Sequence, residues 1–347
     1  MRTKDWMLEF FCILICLGVS LGSAYAAEKK MVNIACCTTG GSTFVKFNAM
    51  ANVFNSTLNV KATGVPTSCP TENLYLYSKK RATMGLVVPS SFYFAYHGKP
   101  GPYQGDKIDY MLHMFNADST NMHMAVLSGK QPEIQSPKDF KGRPIGMGPL
   151  KSCGGMFLEA VLEAYDMNMD DIKGRPGPGT QLVNMLRDGN IDVMTAAHGL
   201  PASAFLNLSS THKVRLIEIP PEYQKKIIEK HPYYWFNNIK GGIYSYIVKD
   251  TALLAETMAC VVSRDLSEDL VYNFMKELWK HKKDLVAAHP AWERMLEAEQ
   301  GMFWPRVSPL HPGAHKFYKE LGFTDDELKT GKVATEKMGT FKHKKMY

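Results

Sequence analysis

The feature that most constrains the fold of this chain is the unit formed by residues 31–50. An apolar run at residues 31–37 ends in a turn rich in hydroxyl groups and glycine, Thr38-Thr39-Gly40-Gly41-Ser42-Thr43, and a second apolar stretch follows. This succession predicts a buried strand, a turn, and a helix that begins on the turn. Unpaired backbone N–H groups and the positive end of the helix dipole meet at such a turn. The unit is therefore predicted to favour a bound anion.

The same succession of strand, turn and helix recurs along the chain. Further strands are predicted at residues 58–64, 83–88, 110–115, 122–127, 144–148, 191–196, 214–219 and 252–262. Helices are predicted to begin with Thr71 as N-cap and at Pro89, and to cover residues 156–165, 181–187, 202–208, 222–230, 267–282 and 311–322. Strands that alternate with helices predict parallel βαβ units, whose ligands gather beyond the carboxyl ends of the strands.

The first 27 residues differ in composition from the rest of the chain. Arg2 and Lys4 precede an unbroken apolar block at residues 10–21, and small residues that include Ala24 and Ala26 follow. This is the pattern of a cleavable secretory signal peptide, predicted at residues 1–26. The block is shorter than the roughly 20 apolar residues that a membrane-spanning helix needs. The sequence therefore predicts export.

The charge of the chain gives little support to nucleic-acid binding. The formal net charge is +7 over 347 residues, and the excess of Lys and Arg is spread along the chain. The short basic runs are not interleaved with aromatic residues, as they are in many nucleic-acid-binding surfaces. These runs are predicted to be solvated faces.

The cysteines are odd in number once the predicted signal peptide is set aside. Two of the seven precede residue 27, and five remain: Cys36, Cys37, Cys69, Cys153 and Cys260. An odd number in an exported protein leaves at least one thiol unpaired. Cys260 lies in an apolar run and is predicted to be a small buried hydrophobic residue. The other four lie in or beside the turns that follow predicted strands.

Five short motifs are specific in their order, although each is weak alone. They are Thr38-Thr39-Gly40-Gly41, Thr63-Gly64 with Glu72-Asn73-Leu74, Gly148-Pro149, Gly199-Leu200-Pro201 and Pro309-Leu310-His311-Pro312-Gly313-Ala314. In this order, and with the Asp188-Gly189-Asn190-Ile191-Asp192 turn, the chain resembles the TAXI family of periplasmic solute-binding proteins. These are the receptors of one class of TRAP transporters. The resemblance extends over residues 30–322.

The resemblance implies a two-lobe α/β fold of the type II periplasmic-binding-protein class, with a central cleft and strands that cross between the lobes. Lobe I is expected at residues 27–121 and 250–322, and lobe II at residues 122–249. Residues 323–347 are expected to form a C-terminal tail that adds little to the core.

The resemblance also implies a function in transport. The protein is expected to capture a small anionic solute, such as an amino acid or a dicarboxylate, in the periplasm. It would deliver this solute to the membrane subunit of an ion-driven TRAP transporter. We expect a monomer that uses no cofactor and no metal, catalyses no reaction and has no nucleic-acid partner.

The resemblance places the ligand-binding residues in four loops, numbered here in chain order: residues 38–43, the residues around Thr63 and Gly64, residues 148–154 and residues 198–202. The expected set is Thr38, Thr39, Gly40, Gly41, Ser42, Thr43, Thr63, Gly64, Cys69, Lys151, Ser152, Cys153, Gly154, His198 and Gly199. Hydroxyl groups, backbone N–H groups and helix N-termini from both lobes would surround a carboxylate. Lys151 precedes a predicted helix and is expected to pair with an anionic group of the ligand, with Lys46 as the weaker second candidate.

Several of these residues depart from the family's pattern, so the family's usual ligand is not implied. The departures are Cys36, Cys37, Thr43, Cys69, Lys151, Cys153 and His198. Cys37 and Cys69 follow strands that are neighbours in this fold, so a disulfide between them is one expectation. Another pairing that involves Cys36 or Cys153, or free thiols, remains open. A soft-metal site of Cys37, Cys69, Cys153 and His198 lacks the usual ligand spacing.

Two other functions compete with the transport receptor. The first is a receptor with the same cleft that serves a sensing system. The second is a cysteine-dependent enzyme, in which Cys153 at a helix N-terminus would have a lowered pKa and His198 would act as its base.

Overall fold

The computed structural model describes residues 28–148, 152–296 and 305–330. The predicted signal peptide at residues 1–26 and the predicted ligand-binding residue Lys151 therefore lie outside the described residues. None of the helices in the described ranges is both long and apolar enough to cross a membrane.

Within the described residues, ten strands form one mixed sheet. They are β1 (Lys30–Ala35), β2 (Val60–Val65), β3 (Met84–Val87), β4 (Met111–Leu127), β5 (Pro144–Met147), β6 (Lys173–Pro176), β7 (Val193–His198), β8 (Val214–Leu216), β9 (Trp235–Ile239) and β10 (Thr251–Ser263). The order across the sheet is β2-β1-β3-β10-β4-β7-β5-β6. In addition, β8 pairs with β4 and β9 pairs with β10.

Helices connect most of the strands. They are α1 (Ser42–Thr57), α2 (Thr71–Ser78), α3 (Pro89–His97), α4 (Cys153–Ala164), α5 (Gly179–Arg187), α6 (Ser203–Thr211), α7 (Pro221–Lys230), α8 (Glu268–Lys280), α9 (Lys282–Ala288), α10 (Trp292–Met295), α11 (Pro312–Glu320) and α12 (Asp325–Thr330). Short 3-10 helices occur at Pro137–Phe140 and Met169–Asp171. Because β1 pairs in parallel with β2 and β3, and β5 with β6 and β7, the predicted parallel βαβ units are confirmed.

The sequence pattern explains the best-predicted helix, α8. Ser267 is its N-cap and accepts a hydrogen bond of 3.3 Å from the N–H of Leu270. Such a cap contributes about 1 kcal/mol, and acidic residues in the first turn complement the helix dipole. The apolar residues that follow at helical spacing are all buried: Val271, Phe274, Met275 and Leu278.

The strand β4 corrects the prediction of two separate strands at residues 110–115 and 122–127. It is continuous over 17 residues, and the 13-residue strand β10 runs antiparallel to it along residues 255–263. The polar residues at 116–121 suggested a loop from sequence alone. Their backbone stays extended because β10 pairs with it, from Met111 opposite Ser263 to Asn121 opposite Ala255.

Four smaller predictions were wrong. Thr71 is the first residue of α2, and Pro70 occupies the N-cap position. The strands β6 and β9 were missed. β6 is a short, largely exposed edge strand without an apolar run. The tail does add to the core, since Phe323 and Leu328 are buried. The rest of the tail, residues 331–347, lies outside the described residues.

The buried apolar side chains separate into two halves. Two clusters draw their buried members from residues 32–117 and 259–328. Two other clusters draw theirs from residues 122–254. The chain passes between the halves inside β4 and inside β10, so one sheet joins two cores. This is the expected two-lobe architecture with crossing strands.

Candidate functional site

Both sets of parallel strands end beside the same part of the crossing strands. β3 ends at Val87, opposite Ala259 of β10, and β7 ends at His198, opposite Asn121 of β4. These positions are close together because residues 255–258 of β10 pair with residues 118–121 of β4. We call this crossing, together with the loops that follow β1, β2, β3, β5 and β7, the interlobe cleft. Strand ends of this kind are where α/β proteins bind ligands.

The loops after β1 and β2 are covalently joined. A disulfide connects Cys37 to Cys69, whose Cα atoms are 4.9 Å apart. The N–H of Thr67 also donates to the carbonyl oxygen of Cys37 over 3.4 Å. Of the pairings that the sequence left open, the structure contains this one, and Cys36, Cys153 and Cys260 are free. The two loops are thereby held side by side.

The first loop has the geometry expected of an anion-binding turn. Gly40 adopts a φ of +80°, and the N–H of Gly41 donates to the carbonyl oxygen of Thr38 over 3.0 Å. Gly41 is the N-cap of α1, so the helix begins at Ser42. Thr38, Thr39, Gly40 and Ser42 are exposed, and Gly41 and Thr43 are partly buried. The hydroxyl groups of this loop are thus accessible.

Lys46 connects the first helix to the crossing strand. Its side chain is buried, and its Nζ lies 3.2 Å from Oδ2 of Asp118 in β4. Asp118 is partly exposed. The ion pair holds α1 against the crossing, and it shares the charge of Lys46 with a carboxylate. Lys46 is therefore less available to a ligand anion than an unpaired lysine would be.

The second loop lies further along the chain than Thr63 and Gly64. Both residues are inside β2, which continues to Val65. Thr63 is exposed on an edge strand. Gly64 packs closely on α1, because a Cβ at this position would lie 2.6 Å from Oδ1 of Asn48. Only Cys69 of the predicted second-loop residues lies beyond the strand end, beside the first loop.

The third and fourth loops meet at the start of α4. Ser152 is the N-cap, and its Oγ accepts from the N–H of Gly155 over 3.4 Å. The sequence predicted that this helix begins at residue 156, but it begins at Cys153. A Cβ on Gly154 would lie 3.4 Å from Cα of Gly148 and 3.7 Å from N of Ala197. The two loops thus come within van der Waals contact distance at the start of α4.

A chain of hydrogen bonds holds the fourth loop. The N–H of Ala202, the N-cap of α6, donates to Oη of Tyr244 over 2.7 Å. Tyr244 Oη lies 2.9 Å from Nε2 of His123, and Nδ1 of His123 lies 3.1 Å from the carbonyl oxygen of Asn121. A carbonyl can only accept, so His123 carries its proton on Nδ1 and accepts from Tyr244. Burial and the nearby His198 lower the pKa of His123 to about 4.

His198 and Gly199 lie at the end of β7. His198 is partly buried, and burial lowers its pKa. Its Nε2 has no hydrogen-bond partner among the described residues. A Cβ on Gly179 would lie only 2.9 Å from this nitrogen, so the glycine leaves room for the ring. Gly199 is exposed.

A buried carboxyl group in the cleft was missed by sequence reasoning. Glu256 of β10 is fully buried, and its Oε2 accepts from the N–H of Ser90 at the start of α3 over 3.0 Å. The thiol of Cys153 and the hydroxyl of Tyr234 face this carboxyl group. Burial raises the pKa of Glu256. The one signal in the sequence was an acidic residue inside the apolar run at 252–262.

The surroundings of Cys153 disfavour an ionised thiol at this position. Burial first, and then the charge of Glu256, raise the pKa of the Cys153 thiol well above its usual value. The predicted lowering by the helix N-terminus was therefore wrong, because desolvation and a carboxyl neighbour both favour the neutral thiol. The metal alternative loses two ligands, since Cys37 and Cys69 are joined in the disulfide. No cluster of three or more His, Cys, Asp or Glu side chains suited to a metal occurs in the described part of the chain.

The fold and the cleft define the class of the protein. Two α/β lobes, joined by crossing strands and with loops from both lobes at the crossing, form the fold of the periplasmic binding proteins. The chain belongs to the NMT1-like family, whose model matches residues 34–322.

Two solved structures are similar to the chain. The chain is similar to a TctC solute binding protein from Polaromonas, with 12% identity over 78% of this chain and 90% of that chain and a TM-score of 0.50. It is also similar to the periplasmic aliphatic sulphonate binding protein SsuA from Escherichia coli, with 11% identity over 77% of this chain and 76% of that chain and a TM-score of 0.46.

Proposed function

We propose that the protein is a periplasmic receptor of the TAXI type. It captures a small organic anion in the interlobe cleft and delivers it to the membrane subunit of an ion-driven TRAP transporter. One observation carries this proposal: helices of both lobes begin at the crossing. α3 and α6 follow β3 and β7, which end there, Lys46 of α1 contacts Asp118 of β4, and Cys153 of α4 faces Glu256 of β10. The anionic group would be bound by the starts of α1 and α4. An export signal at residues 1–26 would bring the chain to the periplasm.

The chemistry of the loops supports an anionic ligand. The backbone N–H groups in the first turn of α1, and those of Cys153 and Gly154 at the start of α4, point along the positive ends of helix dipoles. Each charge-assisted hydrogen bond to a carboxylate would contribute about 1.5–3 kcal/mol. We assign residues 27–121 and 250–322 to lobe I and residues 122–249 to lobe II, a division that the separate cores support. Closure of the lobes would remove the ligand from water.

We propose binding without catalysis. The only thiol at the start of a described cleft helix, that of Cys153, has a raised pKa. A thermal-shift screen of small anions, including glutamate, dicarboxylates and sulfonates, tests the proposal. The receptor reading predicts that at least one compound raises the melting temperature and is recovered chemically unchanged. Conversion of the bound compound into a product would contradict it.

Substitution Lys151→Ala is expected to weaken binding of the anion identified by this screen at least tenfold. Lys151 directly precedes Ser152, the N-cap of α4, in the sequence. Its ammonium group would pair with the anionic group of the ligand, and a charge-assisted hydrogen bond of about 1.5 kcal/mol corresponds to about tenfold in affinity. Isothermal titration calorimetry measures the effect. Lys138→Ala, which removes an exposed lysine from the same lobe, is the matched control. Equal affinities of wild type and Lys151→Ala would refute the role of Lys151.

A further inference from the structure

A cavity of about 430 Å³ lies on lobe I, away from the interlobe cleft. It is bordered by the segment at residues 305–310 and by the helices α11 and α12. The N–H of His113, near the start of β4, donates to the carbonyl oxygen of Pro309 in this segment over 2.8 Å. Along β4, His113 and Asp118 at the crossing are separated by about 17 Å of extended strand. The cavity is therefore distinct from the interlobe cleft.

A guanidinium group without an acidic partner lines this cavity. Arg306 is partly buried, and burial lowers its pKa to about 10, so it is still charged at neutral pH. Its Nη1 is buried and has no hydrogen-bond partner among the described residues. Its Nη2 donates to the carbonyl oxygens of Leu328 and Lys329. These neutral acceptors do not cancel the charge, and a charge withdrawn from water is costly without a counter-ion.

Two further donors line the same cavity. Ser308 is 3% exposed, and its Oγ has no hydrogen-bond partner in the described part of the chain. Lys329 is exposed in the last turn of α12. The carboxylate of Asp325 also borders the cavity, but it already lies 3.4 Å from Nε2 of His315 and 3.1 Å from Nζ of Lys319. Two cations and one hydroxyl group thus remain for a ligand.

These groups match a phosphate group better than a carboxylate. A phosphomonoester carries a charge of about −1.5 to −2 at pH 7 and three strong acceptor oxygens, whereas a carboxylate carries one charge and two oxygens. The guanidinium fork suits phosphate oxygens, which also accept from hydroxyl and ammonium groups. Leu310 and Leu328 add apolar surface to the lining. The volume lies within the range of about 300–1,000 Å³ that is usual for small-molecule sites.

We propose that Arg306, Ser308 and Lys329 bind the phosphate group of a small ligand at a site separate from the interlobe cleft. This inference goes beyond the proposed receptor function and does not depend on it. The phosphate group can belong to inorganic phosphate or to a small phosphomonoester. The apolar surface of Leu310 and Leu328 favours the ester, because it offers a contact for the organic part of the ligand.

Calorimetry on the mature protein tests the site with three probes: inorganic phosphate, phenyl phosphate and phenol. Both phosphate compounds are expected to bind with a Kd below about 5 mM, and phenol, which lacks the phosphate group, is not. Phenyl phosphate is expected to bind at least about tenfold more tightly than inorganic phosphate, because its ring buries apolar surface. The reverse order would identify free phosphate as the ligand of the same site.

Variants assign the binding to this cavity. Ser308→Ala and Lys329→Gln are each expected to weaken phenyl phosphate binding at least about fivefold, since each removes a donor to the phosphate group. Arg306→Gln is expected to have the largest effect. Because Arg306 also bonds to the end of α12, the other two variants keep the proposal testable if Arg306→Gln does not fold. Lys283→Gln, which removes an exposed lysine from α9 of the same lobe, is the matched control and should bind like the wild type.

Three results would overturn the phosphate site. The first is that neither phosphate compound binds. The second is that phenol binds as tightly as phenyl phosphate. The third is that Ser308→Ala and Lys329→Gln both bind phenyl phosphate as tightly as the wild type, which would place the phosphate elsewhere on the molecule. Failure to find any ligand of the interlobe cleft would defeat the proposed receptor function and leave this site standing.

Discussion

Replacement of both Cys37 and Cys69 by alanine is expected to lower the free energy of unfolding by about 3–4 kcal/mol. The disulfide joins residues separated by 32 positions. Closing a loop of this length removes conformational entropy from the unfolded chain, which is the main source of the stabilisation. The bond also holds the first and second loops together, so ligand affinity is expected to fall as well.

Urea denaturation of the wild type and of the double variant measures this effect, each with and without a reducing agent. The reductant is expected to destabilise the wild type to the level of the double variant. The double variant is its own control, because its remaining cysteines, Cys36, Cys153 and Cys260, are unpaired in the wild type and should not respond. Identical wild-type curves in oxidising and reducing buffer would show that the disulfide contributes no stability.

Acidification from pH 6.5 to pH 4 is expected to remove about 3 kcal/mol of stability through His123 alone. The pKa of His123 is lowered to about 4 in the folded protein, from an ordinary value of 6.5, because the ring is buried and lies near His198. The unfolded chain therefore binds more protons than the folded one between these two values. The contribution is fully present above pH 6.5 and is lost as the pH falls through the folded pKa.

The hydrogen bonds of His123 explain why protonation is costly. Nε2 accepts from the hydroxyl of Tyr244, which already accepts from the N–H of Ala202. Protonation would make Nε2 of His123 a donor that faces the O–H donor of Tyr244 in a buried site. Because Ala202 is the N-cap of α6, the fourth loop is expected to loosen together with the histidine.

Denaturation curves at several pH values, compared between wild type and His123→Gln, measure this contribution. The variant is expected to be less stable at pH 7 and to lose less stability towards pH 4. His212→Gln, which changes a histidine near the surface, controls for the general effect of removing an imidazole. If His123→Gln and wild type have parallel pH profiles, the titration of His123 is not the cause.

The sequence predicted the elements whose cause is local. α8 has its cap, its acidic first turn and its apolar spacing within 13 residues, and the structure confirms it. The unit of β1 and α1 is likewise written in consecutive residues, since a strand that ends in glycine and hydroxyl residues must turn before a helix begins. The single strand β4 was split in the prediction, because polar residues at 116–121 look like a loop until a partner strand is known.

The residues that line the cleft were harder to predict from the sequence, for the same reason. The loops could be located, because each follows a strand end, but Thr63 and Gly64 proved to lie inside β2. His123, Tyr244 and Glu256 were missed. Each is a polar residue in an apolar segment, and its role depends on residues that are more than 40 positions away.

The sequence by itself thus determined the alternation of strands and helices and the turns at the strand ends, because these follow from hydrophobic periodicity and from turn residues over short stretches. The two-lobe class and the cleft loops were expected from the resemblance to a family. The tertiary structure decided which cysteines pair, which helix starts remain free, and which buried groups meet at the crossing. The physical reason is that two antiparallel strands bring residues 90, 153, 234 and 256 together. Burial there raises the pKa values of Cys153, Tyr234 and Glu256, and no local pattern in the sequence records it.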